Sequence, residues 1–468
     1  MNRRRLATAI LLVVAVSAWT GARADIDAGG QRNPTFAKDI APLVYTQCMP
    51  CHRIGQPSPF PLATYDDVRA KGAEVARAVE ARLMPPWLAT QGPDFPAIAG
   101  DRRLTDRQIK TFATWVAHGM PAGPARDIPM PPSLSSSPWP LGLPDMTIGL
   151  PRAIAVPAGG SDDYRNVIVP LDFPADVAIS AIDYLPGENS VLRHARFFAA
   201  PAELAISDSD PLPGISGLLG SGSLENYGDR LLAAADALLD LGAWTPGMAR
   251  RFLPEGLALR IPARFVLVIQ MHLRPGGIDA IENGRVGLYF AKPASYRFVQ
   301  PLAIPPAFGI ASGLNVPAGQ AAFSFSDTFM LPIDVEAVGA RGDANLLAQT
   351  MTLTAAPGMG VNGVPSKWKA TGLLKIADWN ADWPESYFFT KPIHVPRGAV
   401  LRSAITYDNS ASNPRNLFTP PRRTMWGRVP VGEMGTMTLL IVQPAAADAT
   451  LLKDAVARRL REQLMGRK

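Results

Sequence analysis

Apolar positions follow two different periods along the chain. From Thr35 to Ala122 they recur at helical spacing: Phe36, Ile40, Leu43 and Val44 share a face of a helix running toward Cys48. Val68, Val75, Ala76, Val79 and Leu83 share a face of a second helix over Tyr65 to Leu83, opposite Arg69, Lys71, Glu74, Arg77 and Glu80. Thr105-Asp106 is an N-cap signal, and Ile109, Phe112, Trp115 and Val116 line a third helix behind it. Beyond residue 150 short alternating or β-branched runs take over. Tyr164–Val169, Val177–Tyr184, Arg196–Ala199, Phe265–Met271 and Arg285–Phe290 read as strands, as do Phe323–Leu331, Asp334–Val338, Met351–Ala355, Val400–Tyr407 and Met437–Val442. Helical patterning there is confined to Leu231–Leu241 and to a basic amphipathic stretch over Ala447–Leu464, expected to pack on the surface.

The pattern predicts a multidomain chain. A small all-α unit over residues 33–122 is followed by a Pro/Ser-rich linker at 123–150 and by an all-β region of tandem, jelly-roll-like sandwiches at 151–310 and 311–445. A basic C-terminal helix over 446–468 closes it. Forty-six prolines and 40 glycines suit many short strands and turns, and 47% hydrophobic residues suffice for real cores. The formal charge of +6 is carried by scattered residues and shrinks without the N-terminal arginines, so nucleic-acid binding is excluded. Those arginines, Arg3 to Arg5, precede an apolar run from Leu6 to Val16 and a small-x-small site at Ala22-Arg23-Ala24. Residues 1–24 are therefore expected to be a secretory signal peptide, which makes the protein periplasmic or otherwise exported. No other stretch approaches the apolar length of a spanning helix, so no integral membrane segment is expected after cleavage.

The chemistry concentrates at Cys48-Met49-Pro50-Cys51-His52, which holds the only 2 cysteines of the chain. A CxxCH run is the attachment sequence of c-type haem: the thiols bond the two vinyl groups and the imidazole takes one axial position on iron. A redox dithiol or a disulfide is the alternative, and His52 directly behind Cys51 argues against it. Met84, in Met84-Pro85-Pro86-Trp87 just past the second helix, is the expected distal ligand, with Met49, Met120 or His118 as alternatives. A His/Met pair suits electron transfer rather than oxygen chemistry.

Phe36-Ala37-Lys38-Asp39-Ile40-Ala41-Pro42, the CxxCH run, Thr64-Tyr65-Asp66-Asp67-Val68 and the Met84 to Trp87 turn resemble the monohaem cytochrome c domain that precedes a copper monooxygenase-like region in certain exported bacterial proteins. Farther along come Asp163-Tyr164-Arg165, Leu241 to Gly247, Leu253-Pro254-Glu255-Gly256, Gln270-Met271-His272, Val286 to Ala291 and Tyr407 to Pro414. Over roughly residues 150–445 these resemble the type II copper, ascorbate-dependent monooxygenases, the group of the peptidylglycine α-hydroxylating enzymes.

That resemblance implies two copper sites on facing sandwiches, one of three histidines and one of two histidines and a methionine. Here the ligand set is eroded. The family's histidine pair falls on Arg193-His194, its His-x-His on His272-Leu273-Arg274, and its methionine on Met434. A histidine-rich stretch in bacterial relatives falls on Gly339 to Ala344, which holds none. Of 5 histidines, His52 belongs to the haem motif, while His118 and His394 lie away from any copper position. Only His194, His272 and Met434 remain as vestigial copper positions, and Arg193 and Arg274 put positive charge beside them. No catalytic residues are assigned, since there is no GxSxG elbow, P-loop or dinucleotide fingerprint. Trp379, Trp383 and Tyr387 read as core.

The expectation is a monohaem electron-transfer protein that exchanges electrons with a periplasmic redox partner and uses its β region for docking. The alternative is a haem-fed copper-dependent monooxygenase, or an accessory subunit of an oxidase complex.

Overall fold

The structure is a computed structural model that describes residues 33–54, 58–132, 137–160, 162–187, 191–202, 237–246, 248, 252–292, 296–358, 368–427 and 432–466. The expected signal peptide lies outside these. The chain is mostly β-sheet with few helices. No helix among the described residues is long and apolar enough to cross a membrane.

Helix formation near the N-terminus follows local signals. Thr35 caps a helical turn over Phe36–Ile40 that runs into α1 (Ala41–Gln47), where Pro42 sits in the first turn and its missing N–H goes unfelt. Capping boxes open α2 (Tyr65–Glu80) through Thr64 and Asp67, and α3 (Asp106–Ala117) through Thr105 and Gln108. α2 stops short of Leu83 because Arg82 turns into the left-handed region at φ 56° and Pro85 and Pro86 follow. Phe36, Ile40, Val44, Val68, Phe112 and Trp115 share one small core, with Phe36 edge-on to Tyr65 at 5.3 Å.

Among the described residues, ten strands make up the first half of the β region: β1 (Met146–Gly149), β2 (Ile154–Val156), β3 (Asp163–Val169), β4 (Val177–Leu185), β5 (Leu192–Pro201), β6 (Leu239–Trp244), β7 (Leu257–Ile261), β8 (Phe265–Leu273), β9 (Ala280–Glu282) and β10 (Arg285–Phe290). The second half holds β11 (Arg297–Ile304), β12 (Asn315–Val316), β13 (Phe323–Met330), β14 (Val335–Ala344), β15 (Ala348–Ala356), β16 (Thr371–Ile376), β17 (Tyr387–Val395), β18 (Val400–Tyr407), β19 (Thr424–Met425) and β20 (Gly435–Val442). An 8-stranded sheet in the order β1-β10-β4-β7-β11-β20-β14-β17 runs through both halves. The sheet β3-β8-β5-β6 covers one half of it and β13-β18-β15-β16 the other, each pairing closing its own apolar core.

Three expectations change here. The two sandwiches are not separate: β7 and β11 pair in parallel through Leu257–Arg297 and Ala258–Phe298, so one sheet crosses the seam. β11, which lies within the range 151–310 expected for the first sandwich, pairs with β20 of the second. Within the expected helix Leu231–Leu241, residues 231–236 lie outside the described ones, while Leu239 onward is strand β6 paired with β5. The expected linker also contributes structure, since β1 joins the first sandwich and Trp139 is buried against Gly287, where a Cβ would meet its ring at 2.8 Å.

The stretch between α2 and α3 leaves the helices and joins the second sandwich. Trp87, Ala89 and Ile98 lie in its core, and Ala89 and Ile98 bridge Ile376 and Phe389. Trp87 meets Tyr387 edge-on at 5.1 Å, and the Tyr387 hydroxyl accepts from the Leu88 amide. Arg102 grips Glu385 with both terminal nitrogens at 3.0 and 2.8 Å. At the other end α4 (Ala446–Met465) buries Leu452 and Leu460 and pairs Arg459 with Asp327.

Candidate functional site

Cys48 caps the C-terminus of α1, its amide bonding the Val44 carbonyl at 2.9 Å. The chain then turns tightly, with the Cys51 and His52 amides both donating to the Cys48 carbonyl at 3.1 and 2.9 Å. One turn therefore gathers both thiols and the imidazole. Neither Cys48 nor Cys51 is in a disulfide, and burial, helped by Cys51, pushes the Cys48 thiol up to about 12.

His52 is held from across a loop. Its Nδ1 lies 3.2 Å from the Phe60 carbonyl, whose ring packs on the imidazole at 5.2 Å. A carbonyl only accepts, so Nδ1 carries the proton and Nε2 keeps its lone pair. Burial moves the His52 pKa down, which favours the same neutral form. The arrangement is what a metal-ligating imidazole requires: one nitrogen oriented by a backbone acceptor, the other available.

The proposed distal ligand and its alternatives differ in how they are engaged. Met120 packs into the helical core with its sulfur against Gly72, where an added Cβ would lie 2.5 Å away. Met49 packs on the same core, and His118 Nδ1 bonds the Thr114 carbonyl at 2.8 Å. Met84 stands outside that core and is 38% exposed, at the turn where the chain crosses to the second sandwich.

The vestigial copper positions come together unexpectedly. His194 on β5 and His272 on β8 are register partners in one sheet, and they line a cavity of about 50 Å³ with Tyr164, Arg274, Trp379 and Met434. Residues assigned by the resemblance to two facing sites thus share one crevice. Arg193 falls at a bulge in β5 and is exposed, so it adds no charge to the cavity. His272 is buried, stacked on Tyr164 at 4.3 Å, with Nε2 2.6 Å from Asp162 and Nδ1 3.4 Å from His194 Nδ1. Arg274 grips the same Asp162 carboxylate. Burial would raise Asp162, but the hydrogen bonds from Arg274 and His272 outweigh it and hold the carboxyl below its usual range. Burial dominates at His272 and lowers its pKa, keeping the imidazole neutral. Among the described residues no group of three or more His, Cys, Asp or Glu is placed to hold a metal ion.

Met434 is positioned by Glu433, which is fully buried and accepts from the amides of Asn345, Leu347 and Met434 at 2.6, 2.7 and 2.8 Å. Burial pushes this carboxyl up from 4.5 to about 7, against those three amides. The folded chain thus keeps a proton that the unfolded chain has released, and stability falls as pH rises from 4.5 to about 7 and is level above. Urea midpoints between pH 5 and pH 8 should show this fall in the native chain, and Glu433→Gln should flatten it.

Arg196 on β5 and Asp343 on β14 reach this crevice from a group of four buried charges completed by Asp240 on β6 and Arg341 on β14, which together line a neighbouring cavity of about 140 Å³ and have no counterpart in the sequence pattern. The one available signal was Arg341-Gly342-Asp343, two charges at the two-residue spacing of one strand face inside an apolar run. Phe60 and Asp162 carried no signal, since each acts from a loop through contacts remote in sequence.

These features define a class: a two-sandwich β protein with a helical N-terminal part that displays a CxxCH turn. No family model and no curated protein matches the chain. Among solved structures it is similar to PNGF-II, at 11% identity over 63% of this chain and 65% of that one, with a TM-score of 0.28. A peptide-N(4)-(N-acetyl-β-D-glucosaminyl) asparagine amidase follows at 10% identity over 64% and 97%, with a TM-score of 0.26. The VP2 subviral particle of infectious bursal disease virus stands at 9% identity over 66% and 76%, with a TM-score of 0.19. The chain spans slightly under two thirds of the PNGF-II structure. Such TM-scores do not amount to a common fold, and the two-sandwich assignment rests on the strand pairings.

Proposed function

We propose that the chain is an exported c-type monohaem electron-transfer protein whose β region docks a redox partner. One observation carries this reading: two cysteines outside any disulfide share a turn with an imidazole whose Nδ1 is bound to the Phe60 carbonyl, leaving Nε2 available. Cys48 and Cys51 would hold haem through thioether bonds, His52 Nε2 would take one axial position, and Met84 the other. Bound there, haem supplies a one-electron couple, and imidazole with thioether raises its potential.

The chain's own residues prepare that role. Phe60 orients the imidazole and fixes its tautomer, and the Ser58 hydroxyl bonds the Cys51 carbonyl at 2.8 Å, steadying the turn. Met84 is the candidate thioether that packing does not already occupy. Ile54 at 91% and Leu83 at 65% exposure are further apolar side chains of the helical part that an apolar macrocycle could cover. Trp87 and the Arg102–Glu385 pair tie this part to the second sandwich, so an electron carrier and a docking surface would move as one body.

Export with a c-type haem maturation system tests the reading. The purified protein should carry one haem per chain that survives acid–acetone extraction and shows a c-type pyridine haemochrome spectrum. A colourless protein with a Cys48–Cys51 disulfide under those conditions would overturn it.

A further inference from the structure

The copper implied by the monooxygenase resemblance does not fit the residues in the crevice. His194, His272 and Met434 line one cavity, but the two imidazoles already bond each other, Nδ1 to Nδ1 at 3.4 Å, and His272 Nε2 is held by Asp162. Arg274 lies on the same carboxylate and lines the same cavity, so a cation would meet a fixed positive charge where the family pattern has an imidazole. Asp343, a further carboxylate lining that cavity, is committed elsewhere.

Its commitment is to a closed ring of four charges. Arg196 reaches Asp240 at 2.8 Å and Asp343 at 3.2 Å. Arg341 also contacts both carboxylates, with Nη1 3.1 Å from Asp240 Oδ1 and Nε 3.2 Å from Asp343 Oδ2. Arg196 and Asp240 belong to the first sandwich and Arg341 and Asp343 to the second, so two of the four links cross the seam. All four residues are 5–7% exposed, and two positive charges balance two negative ones. Burial opposes charge on Arg341, but Asp240 and Asp343 hold it charged, well above its ordinary pKa. A metal ion entering here would have to displace a guanidinium from a carboxylate among side chains that are each under a tenth exposed.

From this geometry we infer that the β region binds no copper, and that its crevice is an ion-locked seam: the Arg196–Asp240–Arg341–Asp343 ring holds the two sandwiches in fixed register where the resemblance puts a solvent gap between two copper sites. Buried charge rings of this kind act through geometry and specificity more than through net stability. The inference concerns the β region alone and stands whether or not haem is attached at Cys48 and Cys51.

Equilibrium dialysis of the full-length haem-loaded protein against Cu(II), and against Cu(I) under a reductant, tests it, with copper and iron measured on the same sample. The expected result is iron at one per chain and copper no higher in the native protein than in His272→Ala. One copper per chain in the native protein, lost in His272→Ala while iron is unchanged, would overturn the inference. Missing iron would count against the haem reading instead, so the two failures are distinguishable. Hydrogen exchange supplies a second readout. The amides of Arg341 and Asp343 in β14 should exchange only with global unfolding, and exchange through a low-energy opening of the seam would overturn the lock.

Discussion

Asp240→Ala is expected to destabilise the folded chain by about 3–5 kcal/mol, the usual cost of breaking a buried ion network by removing one partner. Asp240 contacts both Arg196 and Arg341 and also accepts from the Gly242 amide at 2.8 Å. Its loss strands a surplus positive charge in an interface where each ring member is under a tenth exposed. Burial by itself would raise this carboxyl, yet Arg341 and Arg196 hold it below the usual range, so it stays ionised across ordinary pH. Pairing the lesion with Arg341→Met restores neutrality and leaves Arg196 on Asp343, so the double variant should recover most of the loss. Urea unfolding of the two variants measures both effects. A loss below about 1 kcal/mol for Asp240→Ala, the range of exposed pairs, would show that the ring is solvated.

For the haem-loaded protein, Met84→Ala should abolish the weak near-infrared band of methionine-ligated ferric haem. It should also lower the reduction potential by something on the order of 0.1 V, within the roughly 0.8 V range that axial ligands set. Met120→Ala should leave both readouts in place, because its sulfur is packed against Gly72 in the helical core. The opposite pattern would transfer the ligand assignment to Met120. Covalent attachment through Cys48 and Cys51 should persist in both variants, which separates ligation from loss of the group.

The difference between what was legible and what was not follows sequence separation. The helix start at Thr105 is readable because a cap is completed within four residues, whereas the helix from Tyr65 is readable from its apolar period and its Thr64 cap emerges only in the structure. The strand core Val400–Tyr407 is readable because burial alternates along the strand itself. The stretch Leu231–Leu241 misled, since a short leucine-rich run suits a helix as well as a buried strand, and pairing with β5 decides for strand from Leu239. Met146–Gly149 was taken into the linker because four residues between prolines give no period to read.

By itself the sequence determined the CxxCH turn, whose chemistry depends on residues within five positions, and the change from helical to two-residue periodicity near residue 150. Only the tertiary structure decided what surrounds them. The Phe60 carbonyl meets His52 across a loop, and His194 meets His272 through a strand register set 78 residues apart. The parallel pairing of β7 with β11 joins one sheet of each sandwich into a single 8-stranded sheet, a choice the side-chain pattern leaves open because backbone hydrogen bonds carry it. Arg196, Asp240, Arg341 and Asp343 come from three strands of two sandwiches. In sequence each is an ordinary charged residue, and only their shared burial and pairing make them a ring.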